Sequence, residues 1–266
     1  MSVSVTEAFD RARQHNRAAV IAYLPAGFPD QPTSIRLIRA MIAEGVDMVE
    51  VGIPYSDPVM DGPVICQAAE IALAAGTTTA DALAVVAACA DTPAALLTMS
   101  YWNLIDSYGA EKFAAELAAA GGAGTITPDL TPEEATAWIA DSDERGLAHV
   151  FLAAPSSDAE RLQVLADASS GFVYAASLMG VTGVRTAVSG SAEELVARLR
   201  EVTDTPISVG LGVSTGEQAR EVAKFADGVI VGSAFVKRIL AAQDADEAER
   251  EVAALARELV EASQRQ

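Results

Sequence analysis

Short runs of β-branched and other apolar residues alternate with alanine-rich stretches along almost the whole chain. Most of the short runs are apolar at successive positions, with no polar residue at every second one. That pattern is typical of parallel strands buried on both faces of a sheet. Eight strands are predicted: Ala18–Leu24, Asp47–Gly52, Ala95–Ser100, Gly124–Thr127, His149–Ala153, Phe172–Ala176, Pro206–Gly210 and Gly228–Gly232.

The stretches between these strands have the periodicity and capping residues of helices. Ser191–Glu194 has the pattern of a capping box, and Thr131–Glu134 combines an N-cap residue with proline at the first helical position, so each predicts a helix start. About eight strand–helix units with no linker between them predict one (β/α)8 TIM barrel over residues 1–266, and a doubly wound sheet is the alternative. An additional N-terminal helix near Thr6–His15 would close the barrel floor. Active groups are then expected where strands end.

Composition narrows the classes of partner. Apolar residues make up 51% of the 266 positions and mean hydropathy is +0.25, so a large core can form. The 37 acidic and 18 basic residues give a net charge of −19. Such a field repels nucleic acid and anionic lipid, so neither is expected as a partner. It also repels a phosphate ester.

Rare residues exclude further classes of protein. Cys66 and Cys89 are isolated, which suits a reducing compartment rather than a disulfide framework. Histidine and cysteine are too sparse and too poorly spaced for a zinc site, so no metal is expected. The longest apolar run, Ala82–Ala90, is too short to cross a membrane, and Glu7 lies where a signal peptide would be basic or apolar. We therefore expect a cytoplasmic protein.

Two carboxylates lie near the carboxyl end of the second predicted strand, Glu50 within the strand and Asp61 on the loop that follows it. Glu50 stands among apolar residues, where desolvation raises a carboxyl pKa toward the range that suits acid–base catalysis. The alternative is a structural glutamate paired with a neighbouring group. Asp61 lies on the proline-rich loop Pro54–Pro63 and could equally be a plain turn residue before Gly62. Two carboxylates in unlike environments can divide the acid and base roles.

Glycines follow the last three strands, at Gly180–Gly183, Gly210–Gly212 and Gly232. Gly232 and Ser233 directly precede a predicted helix over Ala234–Leu240. Glycine lets backbone N–H groups approach an anion, and a helix start attracts negative charge. Barrels often bind phosphate after strands seven and eight, so the sequence predicts a phosphate site there.

The sequence lacks the residues that two other aldolase mechanisms require. An aldolase that forms a Schiff base needs a lysine at a strand end, but Lys112, Lys224 and Lys237 all fall on predicted helices. A metal-dependent aldolase needs clustered ligands, which His15 and His149 do not supply. What remains is carboxylate acid–base chemistry on a phosphorylated substrate, without a metal or an organic cofactor.

Four segments together resemble the tryptophan synthase α chain family, in the same order and over nearly the whole chain. They are Pro25–Asp30, Glu50–Pro63, Tyr174–Gly183 and Asp227–Ser233, and the second is the most specific. The resemblance implies a lyase that splits indole-3-glycerol phosphate into indole and glyceraldehyde 3-phosphate. It also implies a β chain as partner, in an α2β2 heterotetramer that makes tryptophan.

The resemblance further implies a role for each matching residue. Glu50 would protonate the indole ring carbon and take the glycerol hydroxyl proton, while Asp61 would hold the indole N–H. Residues 180–190 resemble a mobile lid, in which Thr182 would close over Asp61. The expected substrate contacts are Tyr23, Tyr101, Tyr174, Thr182, Gly183, Gly212, Gly232 and Ser233. The expected partner contacts are Pro54, Asp57 and Pro58.

Three positions depart from the family pattern, and three other functions stay open. Trp102, Leu104 and Leu211 differ from the residues usual in the family, which affects the expected pocket shape rather than the reaction. The chain could instead be a phosphate-binding isomerase of histidine or tryptophan synthesis. It could also be a catalytically silent subunit that activates a partner, or a lyase that acts without a partner.

Overall fold

Every strand in the sheet runs parallel to its neighbours, in a computed structural model that describes residues 2–176, 188–210 and 212–265. The strand order is β5-β4-β3-β2-β1-β9-β8-β7-β6. The strands are β1 Ala19–Pro25, β2 Met48–Gly52, β3 Ala95–Met99, β4 Gly124–Ile126, β5 Ala148–Val150, β6 Leu152–Ala153, β7 Val173–Ala176, β8 Ile207–Gly210 and β9 Gly228–Val231.

The sheet closes on itself to form a barrel. Its two edge strands, β5 and β6, follow each other along the chain with only Phe151 between them, so they occupy the place of one strand. The single strand predicted at His149–Ala153 is therefore split at Phe151. With this pair counted as one, the barrel has the eight predicted strands, and the TIM-barrel fold is confirmed.

Helices surround the barrel, and most β strands are followed by one or two of them. Those described are α1 Val5–Gln14, α2 Gln31–Ala43, α3 Pro63–Ala74, α4 Thr79–Cys89, α5 Trp102–Tyr108, α6 Ala110–Ala119, α7 Thr136–Glu144, α8 Ala159–Ala168, α9 Val188–Arg200, α10 Gly216–Ala223, α11 Ser233–Ala241 and α12 Ala245–Ala262.

Both helix starts predicted from capping residues are wrong. Thr131–Glu134 forms a turn, in which the Thr131 hydroxyl donates to the Glu134 carboxylate, and α7 begins later at Thr136. The helix predicted to start at Ser191 begins at Val188. The predicted helix Ala234–Leu240 lies within α11 and is confirmed.

The additional N-terminal helix is confirmed and covers the barrel floor. Its apolar face carries Val5, Ala8, Phe9 and Ala12, all buried. The ring of Phe9 meets that of Phe172 edge to face, with centroids 5.9 Å apart. These residues continue the core inside the barrel, whereas a second, larger core lies between the sheet and the surrounding helices. The floor is thus filled, and the open end of the barrel is the carboxyl end of the strands.

Membrane-spanning helices were also sought among the described residues. No single helix there is long and apolar enough to cross a membrane; only α3 and α4, bent by 102° relative to each other, reach the required length and composition together.

Candidate active site

The carboxyl ends of the strands surround a cavity of about 360 Å³. Glu50 of β2 lies directly across from Tyr23 of β1 in the parallel register, and both side chains line the cavity. The full lining is Tyr23, Glu50, Met60, Asp61, Gly62, Pro63, Val64, Ile65, Met99, Tyr174, Gly210, Gly212, Ile230, Gly232, Ser233 and Lys237. One apolar cavity therefore holds both predicted catalytic carboxylates and most of the predicted substrate contacts.

Glu50 is a buried carboxyl group with an unmatched oxygen. Its side chain is 3% exposed, and its Oε1 atom has no hydrogen-bond partner among the described residues. Burial away from water disfavours the charged form and raises the pKa of Glu50 to about 8. At neutral pH the group is therefore mostly protonated and can donate a proton. The structural pairing considered from the sequence does not occur among the described residues.

Asp61 lies on the loop that connects β2 to α3, and it is partly buried at the cavity wall. Burial raises its pKa, and the nearby Tyr101 hydroxyl lowers it. The Tyr101 hydroxyl also accepts a hydrogen bond from the backbone N–H of Met60 at 3.1 Å. Asp61 thus belongs to a loop that is attached to the barrel wall and is more than an exposed turn residue.

Tyr23 and Tyr174 both lie close enough to Glu50 and Asp61 to respond to their charges. Burial raises the pKa values of Tyr23 and Tyr174 well above the usual range, and the charges of both Glu50 and Asp61 raise them further. Each ring also lies against a strand-end glycine: a Cβ atom on Gly52 would approach the Tyr23 hydroxyl oxygen to 2.5 Å. A Cβ atom on Gly210 would approach the Tyr174 hydroxyl oxygen to 2.4 Å. Glycine at these positions leaves room for the rings.

The predicted phosphate end of the cavity is formed by Gly212, Gly232 and the start of α11 at Ser233. Among the described residues no side chain caps this helix start, and its first turn carries no acidic residue. The N–H groups of Phe235 and Val236 donate to the Gly232 carbonyl, so the N–H groups before them are the ones that suit an anion. Thr182 and Gly183 lie outside the described residues, as does most of the predicted lid 180–190.

The loop expected to contact a partner begins at a buried residue and then emerges from the barrel. Pro54 is buried, Pro58 is partly buried and Asp57 is exposed. Val59, the next residue, is 77% exposed and is the most exposed large apolar side chain described. Among residues 2–176, 188–210 and 212–265, no cluster of three or more histidine, cysteine or acidic side chains could hold a metal ion.

Comparison with known proteins identifies the family. The profile described as "Tryptophan synthase alpha chain" matches residues 9–264. The tryptophan synthase alpha chain of Thermobifida fusca is 60% identical over 251 residues, 93% of each chain, and that of Acidothermus cellulolyticus is 54% identical over 252 residues, 94% of each chain. A solved structure of Mycobacterium tuberculosis tryptophan synthase has 47% sequence identity and a TM-score of 0.92, with both chains covered completely.

The chain belongs to the tryptophan synthase alpha chain family.

Members of the tryptophan synthase alpha chain family are lyases, which cleave indole-3-glycerol phosphate to indole and glyceraldehyde 3-phosphate in tryptophan biosynthesis. The resemblance stated from the sequence and the lyase reaction that it implied are confirmed. The isomerase alternative falls with this assignment. The catalytically silent subunit is excluded in the same way, because members of this family are lyases. The remaining alternative, a lyase that acts without a partner, depends on whether a β chain binds.

The structure adds residues to this alpha-chain cavity that the sequence did not single out. Ile230, Met99 and Ile65 form apolar wall, which only the register of the strands reveals. Lys237 lines the cavity although it lies on a helix, a location that had counted against a catalytic role. Tyr101, by contrast, was expected to contact substrate, and it is not among the lining residues; its hydroxyl instead bonds to the loop that carries Asp61.

Two of the positions that depart from the family pattern lie beside this loop, on α5. The backbone N–H of Trp102 donates to the Asp129 carboxylate at 2.9 Å, and its ring meets Trp138 edge to face at 5.6 Å. Leu104 packs against the main core. Leu211 lies outside the described residues.

Proposed function

We propose that this chain cleaves indole-3-glycerol phosphate with Glu50 as the acid and base and Asp61 as the group that holds the indole N–H. The observation that carries this proposal is the Glu50 carboxyl, 3% exposed and with one unmatched oxygen, on the wall of a cavity that also reaches the open start of α11. The cavity therefore combines a protonated acid, an apolar wall that suits an indole ring and an anion site.

Glu50 carries out two proton transfers in this proposal. In its protonated form it donates a proton to the indole carbon that bears the glycerol chain. The resulting carboxylate then takes the proton of the adjacent glycerol hydroxyl, whose oxygen becomes the aldehyde oxygen as the carbon–carbon bond breaks. The bonding electrons return to the ring and restore indole. Glu50 ends protonated, as it began, which agrees with a pKa raised to about 8.

Asp61 stabilises the intermediate that lies between these two transfers. Protonation of the ring carbon leaves positive charge on the ring nitrogen, and a carboxylate hydrogen-bonded to that N–H stabilises the charge. Asp61 lies in the same cavity as Glu50, and both charges act on Tyr23 and Tyr174. The proposal requires Asp61 to be ionised and Glu50 to be protonated at the start of each turnover.

Backbone N–H groups hold the phosphate of the substrate in this proposal. Gly232 and Ser233 present the uncapped start of α11 to the cavity, and the Ser233 hydroxyl supplies a further donor. Gly212 lies on the neighbouring loop. Gly183 and Thr182 are proposed to complete the phosphate site and the lid from the sequence resemblance alone. An anion site of this kind needs few lysines, which reconciles a phosphate substrate with a net charge of −19.

Indole release from indole-3-glycerol phosphate tests these roles. Glu50→Gln keeps the shape of the side chain but can neither give nor take the proton, and Asp61→Asn cannot balance charge on the ring nitrogen. We expect each variant to lose about 10²-fold or more in kcat. Glu70→Gln, an exposed glutamate on α3, is the matched control and should keep full activity. Full indole release by either active-site variant would refute the assignment.

We further propose that the loop Pro54–Val59 contacts a tryptophan synthase β chain, which would make this chain the α chain of an α2β2 heterotetramer. Asp57 and Val59 are exposed on this loop, which leaves the strand that carries Glu50. Contacts with α5 and the residue before it fix the loop to the barrel. Asn103 donates to the Tyr55 hydroxyl at 3.2 Å, and the Tyr55 and Tyr101 ring centroids lie 5.3 Å apart. A partner bound here would act on a segment that connects directly to both proposed catalytic carboxylates.

Size-exclusion chromatography with an added β chain tests the interface. The expected result is a complex of two α and two β chains that Val59→Asp weakens at least tenfold. Val164→Asp is the matched control, because Val164 is also an exposed valine, 36% exposed, but lies on α8. Indole release measured with and without the β chain separates a coupled α chain from a lyase that acts alone. Equal affinity of both variants for the β chain would exclude this loop as the contact.

A further inference from the structure

Lys237 lines the same cavity as Glu50 and the glycines of the proposed phosphate site, although it lies on the helix α11. It follows Ser233, the first residue of that helix, by four positions, so the two side chains share one helix face. Side chains on a helix tilt toward its N-terminus. The stem of Lys237 is therefore directed back toward Ser233 and Gly232.

We propose that Lys237 is a specificity-determining residue, whose ammonium group recognises the phosphate of the substrate and draws it into the cavity. This inference rests on the proposed function, because it assigns the anion bound at Ser233 to the substrate. Lys237 takes no part in the proton transfers. It supplies one full positive charge beside a site that otherwise consists of backbone N–H groups and one hydroxyl.

The charges around Lys237 differ from those around the other two lysines. Lys224, the residue just after α10, lies 2.7 Å from Glu221 of that helix, and Lys112 lies 3.9 Å from Glu116 within α6. In the part of the chain that the structure describes, Lys237 has no such ion pair. The first turn of α11 also lacks an acidic residue, and Ser233 at the helix start lines the same cavity as Lys237, so two positive features of this helix face one cavity. A bound anion would balance both.

A phosphate dianion is the ligand that this arrangement fits. Lysine acts toward phosphate as a compact point charge, and the uncapped helix start provides directed hydrogen bonds. The Lys237 side chain is exposed at the mouth of the cavity, so water weakens its attraction and salt screens it. Its contribution is therefore to substrate capture, against the repulsion from a protein of net charge −19.

Kinetics of the Lys237→Met variant test the proposal. We expect KM for indole-3-glycerol phosphate to rise about three- to tenfold, with kcat unchanged. The ratio of wild-type to variant kcat/KM should fall toward one as salt is raised from 20 to 500 mM. Lys237→Arg should restore most of the KM. Lys112→Met and Lys224→Met remove the same charge elsewhere and should leave KM at the wild-type value.

Binding of inorganic phosphate gives a second readout that needs no turnover. Calorimetric titration should show weaker phosphate binding to Lys237→Met than to the wild-type chain and to the two control variants. Unchanged phosphate affinity and KM in Lys237→Met would overturn the proposal, as would a loss in kcat alone that does not depend on salt. If the wild-type chain bound phosphate through Lys237 but released no indole, the proposed function would fail while the assignment of Lys237 to an anion would stand.

Discussion

The hydroxyl of Tyr101 accepts a hydrogen bond from the backbone N–H of Met60, at 3.1 Å. This bond joins a residue two positions after the end of β3 to the loop that follows β2, one position before Asp61. The same hydroxyl lies near enough to Asp61 to lower the pKa that burial raises. Tyr101 therefore positions the proposed catalytic carboxylate and favours its ionised form.

Tyr101→Phe should lower kcat about tenfold, because it removes both the bond to the loop and the hydroxyl that stabilises ionised Asp61. The pKa of Asp61 should rise further, so the acid limb of the kcat profile should move to higher pH. Tyr108→Phe is the matched control: it removes a hydroxyl that bonds to Glu116 on α6, away from the cavity. A kcat for Tyr101→Phe equal to that of the control would show that the loop does not depend on this bond.

The pH dependence of cleavage follows from the two carboxyl groups. The proposal needs Glu50 protonated, so kcat/KM should fall as the pH rises through the Glu50 pKa of about 8. It needs Asp61 ionised, so kcat/KM should also fall at acid pH. The phosphate of the substrate titrates near pH 6, at about the second pKa of a phosphate ester, and contributes to the acid limb. The alkaline limb is therefore the decisive one.

Rates measured between pH 5 and 9.5 check this expectation. The residual activity of Glu50→Gln should lack the alkaline limb, because glutamine has no proton to lose in this range. Glu70→Gln should retain it. An alkaline limb that persisted unchanged in Glu50→Gln would assign the titration to another group.

The barrel could be predicted from the sequence because continuous apolar runs and strand-end glycines are local patterns. Glu50 could also be predicted as a candidate catalytic residue, because a carboxylate among apolar strand residues is recognisable without knowing how the strands pair. The helix starts at Thr131 and Ser191 were wrongly predicted because the residues that cap a helix also suit a turn, as at Thr131, or a helix interior, as at Ser191. The split of one strand at Phe151 comes from closure of the sheet, which no local pattern encodes.

The rest of the cavity required the three-dimensional structure. Met99 and Ile230 resemble ordinary core residues in the sequence, and only the parallel register places them on the cavity wall. Lys237 was set aside as a Schiff-base residue because it falls on a predicted helix and not at the end of a strand. Its position one turn after Ser233, combined with the tilt of helical side chains, is the signal that could have identified it.

The buried Glu50 carboxyl should lower the stability of the folded chain as the pH rises. Its pKa is raised from the usual 4.5 to about 8 on folding, so between these values the folded state holds a proton that the unfolded state has lost. The free energy of unfolding of Glu50→Gln, relative to wild type, should therefore increase by roughly 1.4 kcal/mol for each pH unit from 5 to 8. Urea denaturation at pH 5, 6, 7 and 8 measures it.

The difference between Glu50→Gln and wild type should level off above pH 8, where both states of the wild-type chain are ionised. Glu70→Gln, the exposed control, should differ from wild type by an amount that hardly changes with pH. A constant difference for Glu50→Gln as well would contradict the raised pKa.

The ion pair between Arg17 and Asp47 links the segment before β1 to the segment before β2, and both side chains are buried. The guanidinium donates two hydrogen bonds to the carboxylate, at 2.5 and 2.7 Å, and the Val20 N–H donates a third at 2.8 Å. Arg17→Met would leave the Asp47 charge buried without its partner, so we expect a loss of about 3–5 kcal/mol in the free energy of unfolding.

Two variants separate the effect of this buried charge from the loss of an arginine. Arg13→Met breaks an exposed pair with Asp10, 2.9 Å long, and should cost less than about 1 kcal/mol. Asp47→Asn added to Arg17→Met removes the unpaired charge while an amide oxygen still accepts from Val20, so it should restore part of the lost stability. Urea denaturation of the three variants decides the matter, and a cost for Arg17→Met no larger than that for Arg13→Met would show that the buried pair adds little to stability.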